Sequence, residues 1–284
     1  MNGRIRQFVI LLLPPIVTSA IRALLRLVRF VGDQPSQSLA TLPQVAESPA
    51  IEASSPSIAP LPPAATPPAR VYWGLHELDR QIEKYLDFDS GYFVELGAND
   101  GKLASNTLYY ERSRHWRGVL IELAPNLFLR CRESRSAENH IVCAACVSFD
   151  YRDEFVKLLY SDSMSVSLNV ESDIGDPVAH AELGRQFLRP DETVFAFGAI
   201  ARTLNSILEE AGAPARIDFF SLDVEGAEIE VLKGVDHQAF RFRYILIECR
   251  DVTRLSGYLT PLGYRLVEKF NEHDYLFADR RASS

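Results

Sequence analysis

The run Val94-Glu-Leu-Gly-Ala-Asn-Asp-Gly101 passes from apolar residues into a corner with Gly97 and Gly101 at its two ends and Asn99 and Asp100 between them. At the carboxyl end of a first strand, such a corner lets backbone approach a ligand closely, and the two glycines supply the conformations this requires. A helix that follows directly would aim its first N–H groups at an anionic part of the ligand. The spacing departs from the dinucleotide fingerprint, because Asn99 stands where a second glycine would admit a pyrophosphate. No Gly-x-x-x-x-Gly-Lys-Ser/Thr stretch occurs in the chain, so a P-loop is excluded. Glu122 closes the next apolar run, 21 residues after Gly101, where an acid accepts hydrogen bonds from ribose hydroxyls.

These residues call for a ligand with a ribose and a small zwitterionic tail but no phosphate. S-adenosylmethionine meets that description, and its cationic sulfonium suits an acidic surround. The positioning elements follow from the apolar runs at 91–96, 118–122, 141–147, 217–223 and 243–248, which alternate with helix-like stretches such as "LYYERSRHW" and "TLNSILEEAG". Short runs buried on both faces and separated by helices predict a doubly wound, mostly parallel, Rossmann-like α/β sheet. The tail "GYRLVEKFNEHDYLFADR" predicts two shorter strands around the turn "NEHD", an antiparallel finish at the sheet edge. Residues 151–200 interrupt the alternation at greater length than a connection needs, and are expected to form a lid or acceptor-binding insertion, with Tyr160, Ser163, Asn169 and His180 as its polar candidates.

Charge divides the chain further. Of the formal −8, residues 1–32 carry +5 and residues 33–69 carry −3, which leaves −10 on residues 70–284. An acidic folded part argues against nucleic acid as a partner. Segment 1–32 has an uncharged run too short, and too broken by Pro14 and Pro15, for a simple membrane span. Arg22, Arg26 and Arg29 recur opposite Ile21, Leu24, Leu25 and Val28, the pattern of a basic amphipathic helix on an anionic membrane surface. A signal peptide, or a helix packed on the protein's own core, are the alternative readings. Residues 33–69 hold nine prolines and no aromatic residue, the composition of a disordered tether. The four cysteines are too few and too irregularly spaced for a disulfide scaffold, and Cys143-Ala-Ala-Cys146 reads as small apolar fillers in a buried strand.

Three stretches, "YFVELGANDGKLASNT", "WRGVLIELAP" and above all "IDFFSLDVEGAEIEVLKGV", resemble FkbM-type methyltransferases, over about residues 85–278. The resemblance implies a class I methyltransferase fold over residues 70–284 and S-adenosylmethionine as cofactor. By position it implies that Glu95, Gly97, Asn99, Asp100 and Gly101 form the methionine and ribose cradle, with Ser105 and Asn106 nearby, and that Glu122 binds the ribose hydroxyls. Asp223 would face the methionine amino group or the transfer site, and Glu225 and Gly226 would shape the turn beside it. Asp223 and Glu225 are the catalytic candidates, His237 and His273 lesser ones. No metal is expected, although Asp223, Glu225 and Glu248 together could form an acidic Mg2+ site.

The expected activity is O-methylation of a hydroxylated acceptor such as a glycan or glycolipid sugar, in the cytoplasm at the inner face of the membrane, with peripheral contact through residues 1–32. A membrane-tethered, non-catalytic binding module with the same fold is the alternative, and a nicotinamide-dependent oxidoreductase is opposed by Asn99.

Overall fold

The computed structural model describes residues 70–283. The amphipathic and proline-rich segments expected at 1–32 and 33–69 lie outside the described residues. The folded part opens with a short helix α1 (Leu78–Gln81) and reaches the first strand, β1 (Tyr92–Leu96). Helix α2 (Leu108–Arg114), strand β2 (Arg117–Glu122), helix α3 (Pro125–Ser134) and strand β3 (His140–Cys143) follow. Proline at the first position of α3 suits a helix start, where no intrahelical N–H is needed.

The apolar run 141–147, expected as one strand, is two. Strand β3 ends at Cys143, and β4 (Ala145–Cys146) belongs to a second sheet. That sheet is completed by β5 (Phe155–Tyr160), β6 (Val166–Ser167) and β7 (Phe195–Arg202), with helix α4 (Pro177–Leu183) between β6 and β7. The chain then returns through α5 (Leu204–Glu210), β8 (Arg216–Leu222), α6 (Glu228–Leu232), β9 (Arg241–Glu248), α7 (Val252–Leu259), β10 (Tyr264–Lys269) and β11 (Asp274–Asp279). Three of these helices carry side-chain caps: Asp176 accepts from the amides of Val178 and Ala179, Thr203 from Ser206 and Asp251 from Arg254.

The main sheet has the order β10-β11-β9-β8-β1-β2-β3. Strands β1, β2, β3, β8 and β9 pair in parallel, and β11 runs antiparallel to β9 and to β10. This is the doubly wound sheet with an antiparallel last strand that the apolar runs predict. Alternation along β1 explains both cores. Val94 and Leu96 join Ile121, Phe220 and Ile247 on one face, while Phe93 joins Leu120, Phe219, Tyr109 and Trp116 on the other. No helix among the described residues is long and apolar enough to cross a membrane.

Strand order reverses beside β1, with β2 on one side and β8 on the other, so the ligand crevice of such a sheet falls at their carboxyl ends. Gly97 sits there at φ +89, and a Cβ at this position would lie 1.9 Å from the carbonyl oxygen of Asp223. Gly97→Ala is therefore expected to cost about 3 kcal/mol or more in chemical denaturation, from left-handed strain plus backbone displacement. Gly212→Ala separates the two costs, since Gly212 has φ +58 with nothing within 4 Å of its would-be Cβ, and is expected to lose only about 1–2 kcal/mol.

Candidate active site

A crevice with about 1060 Å3 of empty space, solvent at its mouth included, opens over the ends of β1, β2 and β8 and extends under the second sheet. It brings together Glu95, Gly97, Asn99, Ser105, Asn106, Glu122, Asp223 and Glu225. Asp100 and Gly101 are not among its lining residues. Asp100 Oδ1 instead accepts from the amides of Lys102 and Leu103, which closes the turn. Gly101, at φ +80, lies against Ser134 and Arg135 behind the corner.

The chain leaving the corner also departs from expectation. Helix α2 begins only at Leu108, and its entry amides are already satisfied: Ser105 Oγ accepts from Thr107 and Leu108, and Glu95 Oε1 from Asn106. These N–H groups are thus not aimed at an anionic ligand group. Glu95 points to the same side of β1 as Phe93, and its carboxylate accepts from Ser105 Oγ, Thr107 Oγ1 (2.7 Å) and Arg135 Nη1 (2.9 Å). Arg135, wholly buried, also binds Glu111 at 2.8 Å and the carbonyl of Gly101 at 3.3 Å. One guanidinium thereby ties β1, the corner and α2 together. No local pattern in the sequence points to Arg135, because its partners are 24 to 40 residues distant.

Asn99 takes a left-handed conformation, φ +46, which asparagine tolerates better than most residues. Its amide donates to Glu122 Oε2 at 2.8 Å, and its side chain donates to Asp162 Oδ1 at 3.2 Å. Glu122 Oε1 accepts from Ala124 N at 2.8 Å. Each Glu122 oxygen keeps a further lone pair for a ribose hydroxyl. Burial, reinforced by the Asp162 charge and opposed by the two amides, pushes the Glu122 carboxyl up to about 7. Asp162, in the insertion and unremarked in the sequence, makes the corner doubly acidic and disfavours a phosphate.

Ribose hydroxyls donate best to an ionised carboxylate, so cofactor affinity is expected to increase as pH rises through about 7. Calorimetric titration with S-adenosylhomocysteine between about pH 6 and about pH 8 checks this slope, which should vanish, with weaker binding, in Glu122→Gln.

On the other side of Gly97, Asp223 is exposed to the crevice, and no hydrogen bond or ion pair among the described residues holds its carboxylate. The crevice is concave, so protein crowds this side chain although water reaches it. That partial desolvation, followed by the charges of Glu248 and Glu225, holds its carboxyl well above the usual carboxylate range. Glu225, at φ +53, is engaged differently: Arg250 Nη2 and His180 Nε2 each lie 2.9 Å from its Oε2. Glu228 is buried beneath the turn and accepts from Gly226 N at 2.9 Å. Among the described residues no cluster of His, Cys, Asp or Glu is placed to hold a metal ion.

His237 is buried against Phe242, Tyr258 and Tyr264, with Nε2 3.1 Å from the Leu232 carbonyl oxygen, and neither it nor His273 lines the crevice. Of the polar residues expected to matter in the insertion, Ser163 lines the crevice. Tyr160 accepts from Asn126 and Asn169 braces Tyr151, while His180 reaches Glu225. Cys143 and Cys146 are free thiols, both raised by burial, the latter to about 12.

The residues present fit an adenosyl sulfonium compound. Glu122 has acceptors for the ribose, Asp223 offers an unpartnered carboxylate, and Asn106 Oδ1 is a buried acceptor that no protein donor satisfies. Apolar Leu123, Ala144 and Ala145 extend beyond Glu122 for a flat ring. Fold and site together define a class I S-adenosylmethionine-dependent methyltransferase. The Methyltransferase FkbM domain profile matches residues 95–277, and the chain belongs to that family.

Among solved structures, the METTL16 methyltransferase domain is 10% identical, covering 72% of this chain and 67% of that one, with a TM-score of 0.39. A human methyltransferase 10 domain containing protein is 11% identical, with 71% and 80% covered and a TM-score of 0.39. The glycopeptide N-methyltransferase MtfA, complexed with S-adenosylmethionine, is 11% identical, with 76% and 98% covered and a TM-score of 0.28. These likenesses are distant, and the assignment rests on the domain match. No curated protein matches the chain.

Proposed function

We propose that the enzyme methylates a hydroxyl group of an uncharged, polyhydroxylated acceptor such as a glycan or glycolipid sugar, with Asp223 as the base. The observation that carries this reading is the Asp223 carboxylate: free of protein partners, open to the crevice and raised in pKa by its surroundings. An alcohol needs help in losing its proton as it attacks, whereas a neutral amine does not, and a carboxylate with a raised pKa is the better base for that task. S-adenosylmethionine, when bound, supplies a methyl group activated by its sulfonium. Asp223 would accept the proton of the acceptor hydroxyl as that oxygen takes the methyl group the bound cofactor would give up, leaving a neutral thioether. Alignment in a crevice supplies much of the remaining acceleration.

Glu225, hydrogen-bonded by Arg250 and with the His180 ring 2.9 Å away, sits in a left-handed conformation in the turn and so positions Asp223. The acids Asp223, Glu225 and Glu248 crowd this end of the crevice, which favours a neutral acceptor over a phosphorylated one. Incubation with radiolabelled cofactor and fractionated cell-envelope glycans tests the proposal. An O-methyl sugar among the labelled products is expected. Label found on nitrogen or carbon, or in none of the glycan fractions, would overturn it.

A further inference from the structure

Beyond Glu122, away from Asp223, the crevice becomes an apolar slot between the two sheets, walled by Leu123, Ala145, Cys146, Val156 and Leu158. Strand β6 supplies its far end. Ser167 pairs with Leu158 in antiparallel register, and residues directly opposite in such a pair share a face, so its side chain faces the slot with Leu158. Ser167 is 8% exposed and lines the crevice, yet its hydroxyl has no hydrogen-bond partner. A buried hydroxyl is rarely left so, because losing water without a replacement is costly.

Two neighbouring polar side chains have protein partners. Ser165 Oγ accepts from Ser161 N and donates to the Asp162 carbonyl, while Asp162 accepts from Asn99. Ser163 is exposed. A slot with apolar walls and an unpartnered buried hydroxyl in its lining suits a flat heteroaromatic ring with a polar edge.

We propose that Ser167 reads the edge of the adenine ring, accepting from its 6-amino group, so that the second sheet and not the main sheet supplies the base-specific contact of the cofactor site. This inference rests on the cofactor assignment and is independent of the acceptor. It makes the insertion part of the cofactor site.

The test is a binding cycle by calorimetry with S-adenosylhomocysteine and its 6-deamino purine analogue, on wild type and Ser167→Ala. Wild type is expected to prefer the adenine compound about fivefold to tenfold, the worth of one neutral hydrogen bond. In Ser167→Ala the preference is expected to fall within about twofold, while affinity for the purine analogue is unchanged. Because the hydroxyl has no protein partner to lose, the ligand-free variant should melt at the wild-type temperature or above. Ser165→Ala, which removes a hydroxyl used within its own loop, should keep the adenine preference. An undiminished preference in Ser167→Ala, or equal weakening of both compounds, would show that Ser167 does not read the base and overturn the proposal. Failure of wild type to bind either compound would overturn the cofactor assignment and this inference with it.

Discussion

Asp223→Asn is expected to slow methyl transfer about 10^2- to 10^4-fold, the usual contribution of a positioned base. Affinity for S-adenosylhomocysteine should fall by much less than the rate, because Glu122 and the slot beyond it hold the nucleoside while Asp223 offers its carboxylate only to the other end of the compound. The asparagine is nearly isosteric and replaces a carboxylate that no hydrogen bond anchors, so the fold should survive. Removing one charge from the Asp223, Glu225 and Glu248 cluster relieves repulsion, and the melting temperature should stay level or rise. The pH profile supplies the decisive readout. At saturating cofactor, kcat/KM for the acceptor should climb with pH through the raised pKa of Asp223, and the residual rate of the variant should lack that limb. An unchanged limb in Asp223→Asn would assign the base elsewhere.

The second large effect concerns stability. Arg135 is wholly enclosed and bonds two carboxylates, the buried Glu95 and the half-buried Glu111. Truncating it to methionine leaves both without their cation, which is expected to cost about 3–5 kcal/mol and to lower Tm by on the order of 10 °C. Adding Glu95→Gln and Glu111→Gln should restore part of the loss, since neutral amides tolerate burial better than orphaned charges. Thermal denaturation of the single and combined variants checks both points. A single variant as stable as wild type would mean that the network contributes nothing net. Because Arg135 also grips the Gly101 carbonyl, the variant should bind the cofactor less tightly even where it is folded.

The parts of this architecture legible in the sequence are those fixed by local pattern. The parallel strands announce themselves because burial on both faces makes continuous apolar runs, and the closing hairpin because "NEHD" interrupts two alternating segments. The corner from Gly97 to Gly101 and the acids at the ends of β2 and β8 are legible for the same reason. The hidden parts depend on partners distant along the chain. The change of sheet at Ala144 leaves no trace, since the residues before and after it are equally apolar. Asp162 and Ser167 sit in a polar stretch whose serines look alike until pairing with β5 and contact with Asn99 separate their duties. At Asp100 the structure adds what the sequence does not show: the short-range demand of two turn amides takes one of its carboxylate oxygens.

The second sheet has one further consequence. Its first strand, at Ala145 and Cys146, lies in register beside the last residues of its return strand, Ala201 and Arg202. The excursion therefore leaves and rejoins the main body at adjacent points, like a loop of rope tied at its own base. A unit attached in this way can be exchanged between relatives as a cassette, with the parallel strands that carry Gly97, Glu122 and Asp223 left in place. Swapping this one self-closed module would then change the cover of the crevice and the adenine contact together, while the carboxylates of Glu122 and Asp223 are inherited unchanged.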